Sequence, residues 1–187
     1  VTQDPYFFGY GSLVNRRTHD YARARPARAQ GWRRLWRHIA GRDTAILTAI
    51  PAPGTQIEGL IAAVPGADWA ALDLREAFYD RLPATDAVRH DLAPGPQVAI
   101  YSIPATKHPA APAPAAILLS YLDVVVQGYR DEFGEAGVAR FFDTTDGWDA
   151  PILNDRAAPL YPRAQSLTAA ETALVDHHLT RLGAHPA

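Results

Sequence analysis

Strand-like segments crowd the first hundred residues of the chain and helix-like ones its last third. This order suggests a mixed or antiparallel sheet and an α+β architecture. Tyr6-Phe7-Phe8 reads as a short apolar strand. Ala27 to Ile39, Thr44 to Ile50 and Gln56 to Val64 read as three successive strands, with Pro51-Ala52-Pro53-Gly54 supplying the turn of a hairpin between the last two. Asp68 is positioned to cap a helix from Trp69 to Tyr79, in which Trp69, Leu72 and Glu76 share one face. Arg81 to Leu92 and Gln97 to Ile103 are further strand candidates, and Ala105 to Pro114 is a proline-rich loop. Helical periodicity then runs from Ala115 to Phe133, with a shorter helix from Glu135 to Phe142. An irregular stretch from Trp148 to Arg163 precedes a last helix, Ala169 to Leu182, which Ser166 or Thr168 caps, Thr168 and Glu171 forming a capping box. The expected fold is a small mixed or antiparallel β-barrel with flanking helices. It forms one domain over residues 1–187, β-rich over 1–104 and helical over 115–187.

Composition narrows the function classes. No apolar run approaches the ~20 residues of a membrane-spanning helix, and Val1-Thr2-Gln3-Asp4 lacks the basic start of a secretory signal, so a cytoplasmic protein with no membrane partner is expected. The absence of cysteine removes disulfides, thiolate metal sites and a cysteine nucleophile. Net charge is −2, yet nine arginines fall between Arg16 and Arg42. Interrupted by Ala, Pro, Trp and Leu, they read as a solvated sheet face rather than a nucleic-acid surface, whose mark would be salt-sensitive retention on heparin. The loop Gly9-Tyr10-Gly11-Ser12-Leu13 lacks the third glycine of a dinucleotide site, and no phosphate loop or Gly-x-Ser-x-Gly elbow occurs. His177 and His178 cannot share a helix face, so no metal site is expected and both read as surface histidines.

What remains is Phe8-Gly9-Tyr10-Gly11-Ser12-Leu13 at the end of the first strand, together with Leu72-Asp73-Leu74-Arg75-Glu76-Ala77-Phe78-Tyr79-Asp80-Arg81. The pair resembles the gamma-glutamylcyclotransferase-like family, in which a Tyr-Gly-Ser-Leu or Tyr-Gly-Ser-Asn loop faces a glutamate on a later helix. Tyr10 to Leu13 fit the loop, Glu76 fits the glutamate, and Tyr79 with Arg81 resembles the Tyr-x-Arg that often follows it. Asn154-Asp155-Arg156 and Tyr161-Pro162-Arg163 look like segments of bacterial members. The glycine-paired spacer of the ChaC branch, which acts on glutathione, is absent because only Ala77 and Phe78 separate Glu76 from Tyr79, so that branch's substrate does not carry over.

The resemblance implies an enzyme that cleaves a γ-glutamyl amide by internal attack of the substrate's α-amine, giving 5-oxoproline and a free amine. No cofactor and no metal are implied, and the partner is a small γ-glutamyl molecule. Glu76 would be the general acid/base, lifted in pKa by burial near Phe78 and Trp69. Tyr10, Gly11, Ser12, Leu13, Tyr79 and Arg81 would bind substrate, the loop N–H groups holding a carboxylate or the developing oxyanion. Arg156 and Arg163 are candidates for an anionic group or for structural ion pairs. The rival is a non-catalytic protein of the same fold that binds a small anionic ligand or a protein partner.

Overall fold

A computed structural model describes residues 3–187. The signal-peptide reading, which rests partly on Val1 and Thr2, lies outside the described residues. Strand β1 (Tyr6–Gly9) is buried on both faces because it runs in the middle of a seven-stranded sheet. It pairs antiparallel with β3 (Ile46–Ala63) and parallel with β6 (Val98–Ser102). Two-sided burial explains its unbroken apolar sequence. Tyr6 and Phe8 point into one apolar cluster with Ile57, Ile61 and Ile100, while Phe7 points into another with Leu13, Leu72 and Tyr101. The remaining strands are β2 (Arg25–Arg37), β4 (Asp80–Pro83) and β5 (Val88–Arg89) in the order β4-β6-β1-β3-β2-β5, with the short β8 (Thr145–Asp146) joining β2. The sheet curls into a half-barrel, the α+β architecture expected.

Two strand assignments differ from the expectation. Residues 44–64 do not form a hairpin: β3 is one long strand, and both of its halves pair with β2. Gln30 opposes Gln56 and Trp32 opposes Pro51, so Gly31 alone stands against residues 52–55 and the proline-glycine segment bulges outward. The Thr55 hydroxyl closes the bulge against the carbonyls of Ala52 (2.7 Å) and Trp32 (2.9 Å). The stretch from Arg81 to Leu92 divides into β4 and β5 at a turn in which the N–H groups of Ala87 and Val88 both reach the Ala84 carbonyl.

Helix α1 (Ala70–Arg75) is shorter than its sequence suggests. Asp68 does accept the Ala70 N–H at 3.1 Å, but Leu72 is the helix's sole buried residue and Leu74 is exposed, so no apolar face carries it further. It ends at Glu76, and the chain turns into β4. Helix α2 (Leu119–Asp143) contains a break at Gly134, with φ 67°, that separates the two helical stretches read from the sequence. Residues 117–118, read as helix, instead form β7 (Ile117–Leu118), paired with β9 (Ile152–Leu153). Helix α3 (Ala169–Arg181) begins with the Thr168–Glu171 capping box. His178 of α3 is buried and stacks on Phe142 at 4.7 Å, which corrects its reading as a surface residue, whereas His177 is exposed. No helix among the described residues is long and apolar enough to cross a membrane.

Helix α2 is buried along most of its length between the sheet and α3. At Gly128 a Cβ would meet the backbone nitrogen of Asn15 at 2.6 Å and its Cα at 2.8 Å, so helix and loop touch through main chain. Asn15 completes the contact by donating to the Val124 carbonyl and Gln127 Oε1, both at 2.9 Å. Because backbone cannot yield as a flexible side chain does, Gly128→Ala is expected to cost about 1–3 kcal/mol in denaturant unfolding. A loss below about 0.5 kcal/mol, the range of ordinary surface substitutions, would contradict this close packing.

Candidate active site

Pairing of β1 with β3 stops at Gly9 opposite Leu60, and the chain turns away from the sheet at Tyr10. Two buried side chains take the carbonyls at this parting. Arg34, fully buried on β2, donates Nε to the Tyr10 carbonyl at 3.1 Å and Nη2 to the Glu58 carbonyl at 2.6 Å. The Tyr129 hydroxyl, which accepts from Arg34, lies 3.0 Å and 2.6 Å from the same two oxygens. Burial raises the Tyr129 phenol to about 12, so it stays a neutral donor. The expectation that the arginines line a solvated face therefore fails at Arg34. Side chains alternate along a strand, so of the neighbours Arg33 and Arg34 one must point inward. Arg33 takes the outer side and pairs with Asp146 at 2.5 Å.

Beyond Tyr10 the chain makes a tight turn over Ser12–Val14. The N–H groups that open such a turn have no partner within it, and that of Ser12 lies against the Tyr121 hydroxyl. Thr18 Oγ1 donates to the Ser12 carbonyl at 2.9 Å. His19 accepts the Tyr21 N–H on Nδ1 at 3.2 Å, which leaves Nε2 to donate to the Leu13 carbonyl at 3.0 Å. Gly11 has no room for a side chain: a Cβ would lie 2.6 Å from the Tyr121 hydroxyl.

Glu76 closes α1 and faces this loop. Its carboxylate, 15% exposed, lies 3.4 Å from Arg75 Nε. Arg75 also donates to the Thr18 carbonyl at 2.9 Å and to Ser12 Oγ at 3.3 Å, so one guanidinium ties the glutamate's neighbour to the loop. Burial pushes the Glu76 carboxyl above its ordinary range, against the smaller opposing pull of Arg75 and then Arg163. The cleft between loop and glutamate has a narrow inner end of about 30 Å³, lined by Tyr10, Gly11, Ser12, Leu13, Glu76, Tyr79 and Tyr121 among others. It opens into an outer chamber of about 460 Å³. Tyr79 donates to the Leu47 carbonyl at 2.7 Å and Tyr10 to the Tyr101 carbonyl at 2.5 Å. Burial raises the phenols of Tyr10, Tyr79 and Tyr121, so the inner wall presents neutral hydroxyls.

Six of the seven sequence-nominated residues thus meet around one cleft. Arg81 does not line it: its guanidinium is held by Asp73 at 2.9 and 3.0 Å and stacks 4.3 Å from the Trp69 ring, in a neighbouring depression. Trp69 packs there, and Phe78 borders the outer chamber, so the tyrosines are what surround Glu76 at the inner end. Arg156 is taken by Asp123 and Asp176, each at 2.8 Å, whereas Arg163 lines the outer chamber. Nothing in the sequence marks Tyr121, which fits the apolar spacing of its helix, or Arg75, Arg42 and Arg34 as site residues. Among the described residues no cluster of three or more His, Asp or Glu could hold a metal ion.

The sequence matches no family model and no curated protein. Among solved structures, an uncharacterized protein from Homo sapiens superposes with a TM-score of 0.56 at 13% identity, over 93% of this chain and 99% of that one. A structure named gamma-glutamyl cyclotransferase gives 0.54 at 13% identity, over 94% and 99%. YkqA from Bacillus subtilis gives 0.53 at 19% identity over 77% of this chain, which spans 56% of that protein. The architecture is therefore the gamma-glutamyl cyclotransferase-like fold.

The raised carboxyl has a consequence for stability. Folding favours the protonated form of Glu76, so its contribution is fully present below the unfolded pKa and is lost as pH rises through the folded one. Glu76→Gln removes the charge, so the variant is expected to be more stable than the parent at pH 7. The gain should vanish below the ordinary glutamate range, near pH 4 and under. Paired denaturant unfolding at the two pH values checks this, and a variant less stable at pH 7 would mean that the Arg75 contact outweighs burial.

Proposed function

We propose that the protein is a γ-glutamyl cyclotransferase, which converts a γ-glutamyl amide to 5-oxoproline and releases the amine. The observation that carries this reading is a glutamate with a raised carboxyl pKa, set across a tyrosine-lined cleft from a tight Gly-Ser-Leu turn. The likeness in fold to a gamma-glutamyl cyclotransferase supports it.

In the proposed reaction the substrate's α-amine attacks its own γ-carbonyl carbon. A carbon–nitrogen bond forms to close the five-membered ring, and the bond to the leaving nitrogen breaks. Two protons leave the α-ammonium and two arrive on the departing amine, so the reaction is balanced without water, metal or redox partner. Folding the γ-glutamyl chain so that amine and carbonyl meet is an orientation effect, worth about 7–11 kcal/mol in well-aligned intramolecular reactions. The Ser12 and Leu13 N–H groups hold the substrate's α-carboxylate or the oxygen that gains charge at the γ-carbon, and the absence of a side chain at Gly11 lets the Tyr121 hydroxyl close against the turn beside them. Glu76 takes a proton from the attacking nitrogen and returns one to the leaving nitrogen. Its raised carboxyl brings donor and acceptor strengths closer at neutral pH than an exposed glutamate would. Tyr79, Tyr10 and Tyr121 form the neutral wall that keeps Glu76 from water.

Release of 5-oxoproline from glutathione, γ-glutamyl-alanine, γ-glutamyl-lysine and a γ-glutamylamine tests the reading. Turnover of at least one is expected, falling about 10²–10⁴-fold in Glu76→Gln. Product that survives the substitution would remove Glu76 from the proton transfer, and no product from any member would favour a binding protein built on this fold.

A further inference from the structure

The outer chamber is unbalanced in charge. Its residues of charged type are Arg42, Arg75, Arg163 and Glu76, with Phe78, Leu160, Tyr161 and Pro162 among the residues between them. Arg75 is committed to Glu76, Thr18 and Ser12. Arg42 and Arg163 are different: among the described residues neither meets a carboxylate, although most arginines of this chain do. The Arg42 Nε is buried without a hydrogen-bond partner. Its guanidinium carbon sits 4.2 Å from the centre of the Phe78 ring, and that ring is 41% exposed, so a planar cation is held over an aromatic face at the chamber wall. Arg163 lines the same chamber beside Tyr161 and Pro162, and its charge pulls the Glu76 carboxyl downward.

We propose that Arg42 and Arg163 bind a carboxylate on the leaving group, so that the substrate is a γ-glutamyl amino acid or peptide and not a γ-glutamyl amine. This rests on the proposed cyclotransferase reading. The inner end, with Glu76 and the Ser12 turn, takes the γ-glutamyl head, and the leaving group extends into the chamber. Two guanidinium groups without carboxylate partners attract an anion there and repel a cation. Arginine's fork matches a carboxylate in two parallel hydrogen bonds, and the Phe78 ring fixes the plane of one fork before substrate arrives. A polyamine leaving group would bring a positive charge to the same wall.

The test compares pairs that differ only at the leaving group's carboxyl. For turnover these are γ-glutamyl-alanine and γ-glutamyl-alaninamide. For binding by calorimetry they are glutaryl-alanine and glutaryl-alaninamide, which lack the α-amine and cannot cyclise. The acid is expected to win by about tenfold or more in both kcat/KM and Kd, the order of a charge-assisted hydrogen bond. Arg42→Gln and Arg163→Gln should each narrow that ratio toward one, through KM more than kcat. Equal binding of acid and amide by the parent would overturn the proposal, as would a preference for γ-glutamyl-putrescine. Variants that weaken acid and amide alike would place the arginines on the γ-glutamyl head instead. Calorimetry reads the preference without chemistry, so absence of 5-oxoproline would end the cyclotransferase reading while the carboxylate preference is still decided. The parent's ratio decides it even if a variant fails to fold.

Discussion

The site depends on a buried cation, Arg34, that meets no carboxylate among the described residues. Where β1 leaves β3, the carbonyls of Tyr10 and Glu58 fall beyond the last rung of the β1–β3 ladder, and a buried carbonyl without a donor costs about 1–3 kcal/mol. Arg34 meets both, and Tyr129 meets them again from α2. The guanidinium's remaining surface lies over the rings of Tyr129 and Phe141, at 4.9 and 5.0 Å from their centres. Its charge is thus spread over carbonyl dipoles and aromatic faces. Sheet, helix and loop are joined at one point, and the turn that follows Tyr10 inherits its position from it.

From that point the cleft is built outward by short-range contacts. Asn15 and Gly128 lock the far end of the loop to α2, while Arg75 locks the near end to the helix that carries Glu76. The glutamate is consequently held by its own backbone at the close of α1, where the Tyr79 N–H reaches its carbonyl at 2.9 Å, and not by a long helix. A short helix suffices because its end, rather than its face, presents the carboxylate. The same burial that lifts the carboxyl's pKa opposes its charged form in the folded protein at neutral pH.

The sequence made the elements of the site legible more readily than their geometry. Taken singly, the Gly-Ser loop reads as an ordinary turn and Glu76 as a solvated helical glutamate; it is their joint occurrence, in the order of the family they resemble, that marks Tyr10 to Leu13 and Glu76. Arg34 was not legible as a core residue, since charge argues for solvent and only the strand's alternation argues against it. Tyr121 was hidden for the opposite reason: it fits the apolar face of α2, so nothing in the pattern separates a cleft wall from a core side chain. The long β3 reads as a hairpin in the sequence because proline and glycine signal a turn and a wide bulge alike. The end of α1 was misplaced because the pairing of residues 80–83 with β6, a long-range contact, overrides local helical spacing. Arg42 and Arg163 acquire meaning only from what they lack, a carboxylate partner, and sequence carries no record of that.

The central claim is that Glu76 moves the proton, and its own titration tests this most directly. The carboxyl ¹³C shift of Glu76, followed by NMR in the free protein, is predicted to turn over above the ordinary glutamate range. The acid limb of kcat/KM, which reports the free enzyme's essential groups, should fall at the same pH. A midpoint in the ordinary range, or an acid limb unrelated to it, would contradict the account.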